Sequence, residues 1–289
     1  MLFDKVHWTY IILTFVCTIL LLAAGYYIKK KEHKNIFLGF FAWGTFLIHI
    51  STLWVDFFIN NPVVIQRHSS ILITVYFCNL CMFALLFCSM FKNKEGRLFK
   101  HFATFVAWGG TIGSLITTFY PDFYMDYPTI DWGTMKSMMS HTFMLIGCLY
   151  LFVGKYIKLR VSNLISFFYG LVAVLIIGLA LDGILKYTGK KYGLHVTDES
   201  PMYIYKGPIP DVKWLTGPVI ALFMMVLIFI IASIYEAFLP KEERWYNKIK
   251  AFVKTCKEKR EAKKLKVLAQ NNETLYENKV EEEVNQNQE

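Results

Sequence analysis

The chain has 289 residues, of which 55% are hydrophobic, 17% aromatic and 18% charged, with a formal net charge of +9. Soluble domains carry about 25% charged residues, so this composition argues against a water-soluble domain over most of the length and makes lipid the expected solvent. The positive balance does not point to nucleic acid, because the basic residues fall in short loops and in the last fifty residues, where the positive-inside rule places them.

Seven stretches meet the requirement of about 20 mostly apolar residues for a spanning helix: 8–28, 35–59, 69–91, 98–120, 135–155, 161–182 and 215–239. The first has no basic run before it and no small-x-small site after it, so it reads as a retained helix rather than a cleaved signal. Lys29, Lys30, Lys31 and Lys34 follow it. The second carries His49 and Asp56, seven residues apart and so on one helix face. The third holds Tyr76, Cys78, Asn79, Cys81 and Cys88, and is followed by Lys92, Lys94, Arg97 and Lys100. The fourth contains Gly109, Gly110, Gly113 and Ser114, small residues that let neighbouring helices approach.

Residues 121–134 then form an acidic, aromatic loop with Asp122, Asp126, Asp131, Tyr124 and Trp132, in keeping with an interfacial aromatic belt. The fifth stretch carries His141 and Cys148, again seven apart, and precedes Lys155, Lys158 and Arg160. The sixth ends at Asp182. Residues 183–214, with recurrent Gly, Pro and Tyr, read as an irregular cap. After the seventh stretch the composition changes. Residues 241–269 read as a basic amphipathic juxtamembrane helix with Trp245, Ile249, Phe252, Val253 and Cys256 on one face, suited to anionic lipid head groups. Residues 270–289 read as a polar tail expected to be disordered.

Of 31 Lys and Arg residues, 23 fall in the loops after the first, third and fifth stretches and in the tail. That bias predicts an outside N-terminus and a cytoplasmic C-terminus, which requires an odd number of spans. The fold expected is therefore an all-α, polytopic membrane protein: a seven-helix bundle over 1–240, the basic helix and the tail. None of the six cysteines lies in an outside loop, so no disulfide framework is implied.

Ionisable groups inside a bilayer are costly and mark functional sites. Counted at 1.5 Å per residue from the cytoplasmic ends, Cys78, His141 and His49 all lie about 20–21 Å up. Asp56 and Asp182 lie higher, at about 31 Å. A cysteine beside a histidine is a nucleophile pair: the imidazole takes the thiol proton and the thiolate attacks a carbonyl. In a bilayer such a pair would meet lipid acyl esters, with Asn79 placed to donate a hydrogen bond to the oxyanion. Asp56 is a carboxylate that would orient a nearby imidazole. For each of these residues the plain alternative is packing, a cross-helix hydrogen bond or interfacial solvation. Cys78 and Cys81 have CxxC spacing, but no HxxxH and no second pair of ligands at metal-binding spacing accompanies them, so neither a metal nor a cofactor is expected.

The stretch Ile73-Thr-Val-Tyr-Phe-Cys78-Asn79-Leu80 resembles the third-span motif of YwaF-like bacterial integral membrane proteins, which runs roughly Leu-Pro-Leu-His-Leu-Cys-Asn-Leu. The resemblance continues through Gly109–Gly113, Tyr120-Pro121-Asp122 and Ser140-His141. These proteins are similar in turn to the eukaryotic transmembrane protein 164 family, which includes an ether-phospholipid acyltransferase. The resemblance implies a cysteine and a downstream histidine acting together, here Cys78 and His141, and a bacterial plasma membrane as the location. Thr74 and Tyr76 stand where the motif has proline and histidine; if the motif histidine is the base, this chain lacks it and His49 or His141 must serve. Two other functions stay open on the sequence: a secondary transporter using the same polar level, and a non-catalytic membrane scaffold.

Overall fold

A computed structural model describes residues 3–51, 54–55, 76–121, 124, 132–192 and 212–286. Among them every regular element is a helix: α1 (Lys5–Tyr26), α2 (Lys31–Ile50), α3 (Phe77–Met90), α4 (Arg97–Phe119), α5 (Trp132–Val153), α6 (Asn163–Tyr192), α7 (Gly217–Ala237), a 3-10 turn (Lys241–Glu243) and α8 (Trp245–Gln286). The chain forms two compact units, 1–232 and 233–289.

Five helices among the described residues are long and apolar enough to cross a membrane: α1, α4, α5, the Asn163–Ile184 part of α6, and α7. The two further spans expected at 35–59 and 69–91 correspond to α2 and α3. Four ionisable residues at the start of α2, Lys31 to Lys34 with Glu32 and His33 among them, lower its mean hydropathy, and α3 has 14 described residues. The outer parts of both stretches, including Asp56, lie outside the described residues.

The first unit is built around α4. Its neighbours α3, α5, α6 and α1 all pack on it, and α2 packs on α3 and α5. Its buried positions run almost unbroken from Ala103 to Ser114. That continuity is what a helix enclosed on all sides requires. The peripheral helices instead turn bare apolar side chains outward: Ile12, Ile19 and Leu20 of α1, Phe168 and Ile176 of α6, Leu222 and Phe223 of α7. A belt of such residues is unstable in water and ordinary in lipid.

The helix ends explain where the chain turns. Asp4 caps α1 by accepting a hydrogen bond from the His7 N–H at 2.9 Å. Between α3 and α4, the Asn93 side chain accepts from the backbone N–H groups of Glu95 and Gly96, an Asx turn. Lys94 folds back, its ammonium donating to the Ser89 and Phe91 carbonyls at the end of α3; burial there pushes its pKa down. At the end of α5, Tyr156 N donates to Leu151 O and Lys155 N to Phe152 O, the paired bonds of a Schellman motif. Lys155 occupies the left-handed position with φ 64°, where glycine is the usual residue.

In the second unit, α8 runs unbroken to Gln286, whereas the sequence led us to expect disorder from about residue 270. The stretch 270–286 contains neither glycine nor proline, and five Glu and two Gln among its residues favour a helix.

Candidate functional site

The small residues of α4 bring two sets of thiols against one helix. On the side facing α3, a Cβ added to Gly109 would lie 3.1 Å from the Phe77 ring and 3.3 Å from Cys81 Sγ, and one added to Gly113 would lie 3.3 Å from Cys78 Sγ. On the side facing α5, a Cβ on Gly110 would overlap Cys148 Sγ. Glycine is needed at 110 for close approach, not for its backbone freedom. Cys81, Cys88 and Cys148 are sealed in this packing, which is the plain reading of an apolar-span cysteine. Cys78 is not sealed. It is half-buried, with Sγ 3.8 Å from Gly113 O, to which it donates, and 3.6 Å from Thr117 Oγ1.

Cys78 owes this position to where α3 begins. Tyr76 is the N-cap, with extended backbone (φ −99°, ψ 142°), so Cys78 lies in the first helical turn with Asn79 beside it, also half-buried. First-turn N–H groups lie beyond the reach of the helix's own carbonyls, and the positive end of the helix dipole favours an anion there. An anion developing at this place in a reaction, on sulfur or on a bound oxygen, meets that field.

His141 lies in the second turn-pair of α5 and is 7% exposed. Its Nδ1 is 2.7 Å from Ser137 O. A carbonyl only accepts, so Nδ1 carries the proton, and in the neutral ring Nε2 is then the basic nitrogen. The register fixes its depth. The antiparallel helices α4 and α5 meet where Gly110 faces Cys148. His141 is seven residues from Cys148 and Thr117 seven from Gly110, so both are displaced in the same direction by about 10 Å with their faces preserved. His141 is thus level with Thr117, the residue that Cys78 Sγ reaches from the other side.

His49, near the end of α2, is 4% exposed and sets its ring edge-on to Phe83 of α3 at 6.4 Å. Gly44 of α2 faces Phe143 of α5, so five residues further His49 is within about one turn of His141 in depth. Asp182 lies on α6, where it binds Lys186 at 2.8 Å one turn on. Asp56 lies outside the described residues. Cys78, Asn79, His49 and His141 therefore lie within about one turn of a common level, and Tyr76 caps the helix that carries two of them.

The sequence reading missed a polar seam on α1. His7, which precedes the first apolar run of the sequence, is fully buried. Its Nδ1 accepts from Phe3 N at 2.9 Å, so Nε2 donates to Thr118 O at 2.9 Å. Tyr10 OH pairs with Thr118 Oγ1 at 3.3 Å, and Thr14 with Thr142, the neighbour of His141, at 3.0 Å. Outside the bundle, Tyr124 OH donates to Asp4 at 2.7 Å. The His7 N–H, then this phenol, hold the Asp4 carboxyl well below its ordinary pKa, and the carboxylate in turn raises that of Tyr124. The signal was present: His7, Tyr10, Thr14 and Thr18 recur at helical spacing, a polar stripe on an otherwise apolar helix.

A family model, the TMEM164 family, matches residues 2–235. The chain belongs to the TMEM164 family. No curated protein and no solved structure matches it. Cys78, Asn79, His49, His141 and the α1 seam all lie within the TMEM164 match, whereas α8 lies beyond it. Membership and the apolar helices agree that the chain is an integral membrane protein with several spans.

Proposed function

We propose that this protein is a membrane-embedded acyl-transfer enzyme acting on lipid esters, with Cys78 as nucleophile and His141 as base. The observation that supports the reading is a half-buried thiol in the first turn of α3 that reaches Thr117, with an imidazole level with Thr117 along α5 whose Nδ1–H is held by Ser137 O. The motif around Cys78, and the lipid acyltransferase within the family it resembles, support the same chemistry. Seven spans with the N-terminus outside would set the pair in the outer half of the bilayer, and a bacterial plasma membrane is the location proposed.

In the proposed first step the Cys78 thiol proton passes to His141 Nε2 and the sulfur attacks the ester carbonyl. The Asn79 amide and the start of α3 stabilise the oxyanion. Collapse breaks the acyl C–O bond, and the leaving alkoxide takes the proton from His141, giving a thioester and a lysolipid. A second hydroxyl, of a lysolipid or of water, then attacks the thioester, again with His141 accepting the proton, and the Cys78 thiol is restored.

The test is covalent. The purified protein in lipid is treated with a lipid-like electrophile, and labelled cysteines are mapped by mass spectrometry in wild type, Cys78→Ser and His141→Ala. Selective labelling of Cys78 that falls without His141 supports the reading, and lipid extracts are then screened for acyl transfer. An inert Cys78, or labelling indifferent to His141, would sink it in favour of transport or scaffolding at the same level.

A further inference from the structure

After Pro240 the chain could leave the membrane freely: the eight residues between Glu236 and Trp245 span up to about 26 Å when extended. They do not extend. Glu236, in the last turn of α7 and 3% exposed, accepts a hydrogen bond from Trp245 N at 2.6 Å. Arg244 Nε donates to Leu239 O at 2.9 Å, and Asn247 Nδ2 donates to Lys241 O at 2.6 Å. The carboxylate of one helix thus satisfies a first-turn N–H of the next, where negative charge is favoured. The result is an elbow that starts α8 level with the end of a membrane span.

What starts there is amphipathic. Trp245, Ile249, Phe252, Val253 and Cys256 lie within one face at helical spacing. Ile249 is 52% exposed, Phe252 68% and Val253 45%. Eleven Lys and Arg stand against four Glu between residues 241 and 266. An uncovered aromatic and aliphatic face, rimmed by cations and tied to the depth at which a span ends, is complementary to the interface of an anionic leaflet.

We propose that the Glu236 elbow pins α8 at the membrane surface, where Ile249, Phe252 and Val253 enter the headgroup region of anionic lipid. The occupant of this face is lipid rather than protein, because the face lies next to the membrane exit and its rim is basic. This inference is independent of the acyl-transfer reading.

The experiment is hydrogen–deuterium exchange of the full chain in nanodiscs, comparing phosphatidylcholine with a mixture containing phosphatidylglycerol. Peptides from 245–256 should exchange at least tenfold more slowly in the anionic discs, since each lysine near such a surface contributes about fivefold in affinity. The slowing should be lost when Lys248, Lys250, Lys254 and Lys257 become Gln, and in Phe252→Ser. Glu236→Ala should also lose it, whereas Glu236→Gln, which keeps an accepting oxygen, should retain it. Equal exchange in both lipids overturns the proposal: if fast, the face is uncovered, and if slow and indifferent to the lysines, protein covers it. Unchanged protection in Glu236→Ala overturns the pinning.

Discussion

Replacing Gly110 with alanine tests the packing that sets the depth of the whole site. A Cβ at that position would stand more than an ångström inside the 3.4 Å at which ordinary contact with Cys148 Sγ begins. Cys148 has no exposed surface, so neither helix can yield without moving its other neighbours. Overpacking of this kind costs about 1–3 kcal/mol, and the better helix propensity of alanine returns at most about 1 kcal/mol. We therefore expect Gly110→Ala to destabilise the bundle by about 1–2 kcal/mol. Cys148→Ala removes the sulfur and leaves a Cβ at 3.4 Å and Met144 Cγ at 3.5 Å as the nearest atoms, both acceptable. The double variant should be more stable than the sum of the two singles predicts, with a coupling of about 1–3 kcal/mol. The assay is equilibrium unfolding in mixed micelles with rising dodecyl sulfate, followed by helical circular dichroism. Gly39→Ala, whose Cβ meets nothing within 4 Å, serves as control and should be neutral or stabilising by up to about 1 kcal/mol. Simple additivity of Gly110→Ala and Cys148→Ala, or an unchanged midpoint in Gly110→Ala, would refute the reasoning.

Other consequences follow from single residues. Lys155→Gly should raise the unfolding midpoint by about 0.5–1 kcal/mol, because the left-handed φ of 64° at the end of α5 is strained for lysine and not for glycine. His7→Ala leaves the Thr118 carbonyl without its cross-helix donor, and should cost about 1–3 kcal/mol in the same titration. The Asp4–Tyr124 pair gives a pH dependence with a defined sign. The Asp4 pKa is lowered on folding from 3.8, so its contribution is present above that value and is lost as pH falls below it. The Tyr124 pKa is raised from 10.0, so its contribution is present below that value and is lost as pH rises through the folded pKa. Exchange of the first-turn amides of α1 should therefore show a plateau of protection between about pH 4 and pH 10. Tyr124→Phe should lower protection within the plateau and remove the tyrosine's share of its alkaline edge.

Most of the bundle was legible because its signals are repeated along many residues. The apolar runs of α1, α4, α5 and α7 place four helices within about three residues of where they occur, whereas α6 runs on to Tyr192, past the expected end at 182 and into the stretch read as an irregular cap, and the resemblance around Cys78 anticipated the family. A depth for Cys78, His49 and His141 can be counted from the sequence, since 1.5 Å per residue needs only a reference end. Rotation about each axis was not readable. Nothing in the one-dimensional pattern says that Cys78 turns to Gly113 while Cys81, three residues on, is sealed against Gly109; the neighbouring glycines decide it. His7 was misplaced for a different reason. It precedes the apolar run, so it counts as a flank, yet α1 begins at Lys5 and carries it inside. The burial is tolerated because both ring nitrogens are satisfied, one by Phe3 N and one by Thr118 O.

That histidine also exposes a common device. The last carbonyls of a helix have no partner of their own, and in lipid no water replaces them. Here several are met from another element: Thr118 O at the end of α4 by His7, Gly25 O at the end of α1 by Tyr150 OH at 3.4 Å, and Gly154 O after α5 by Lys34 at 3.3 Å. Phe91 O after α3 is met by Lys94 in the turn that follows. Each bond ties one helix end to a neighbour, so the helices are fixed in depth as well as in angle. Depth is the coordinate on which the candidate site depends, because Cys78 and His141 belong to separate helices, each antiparallel to α4, that share no local sequence. A slip of one turn in either would change their relative depth by about 5.4 Å. The end-capping bonds and the glycine contacts of α4 are thus the means by which two distant stretches of sequence are held at one level of the membrane.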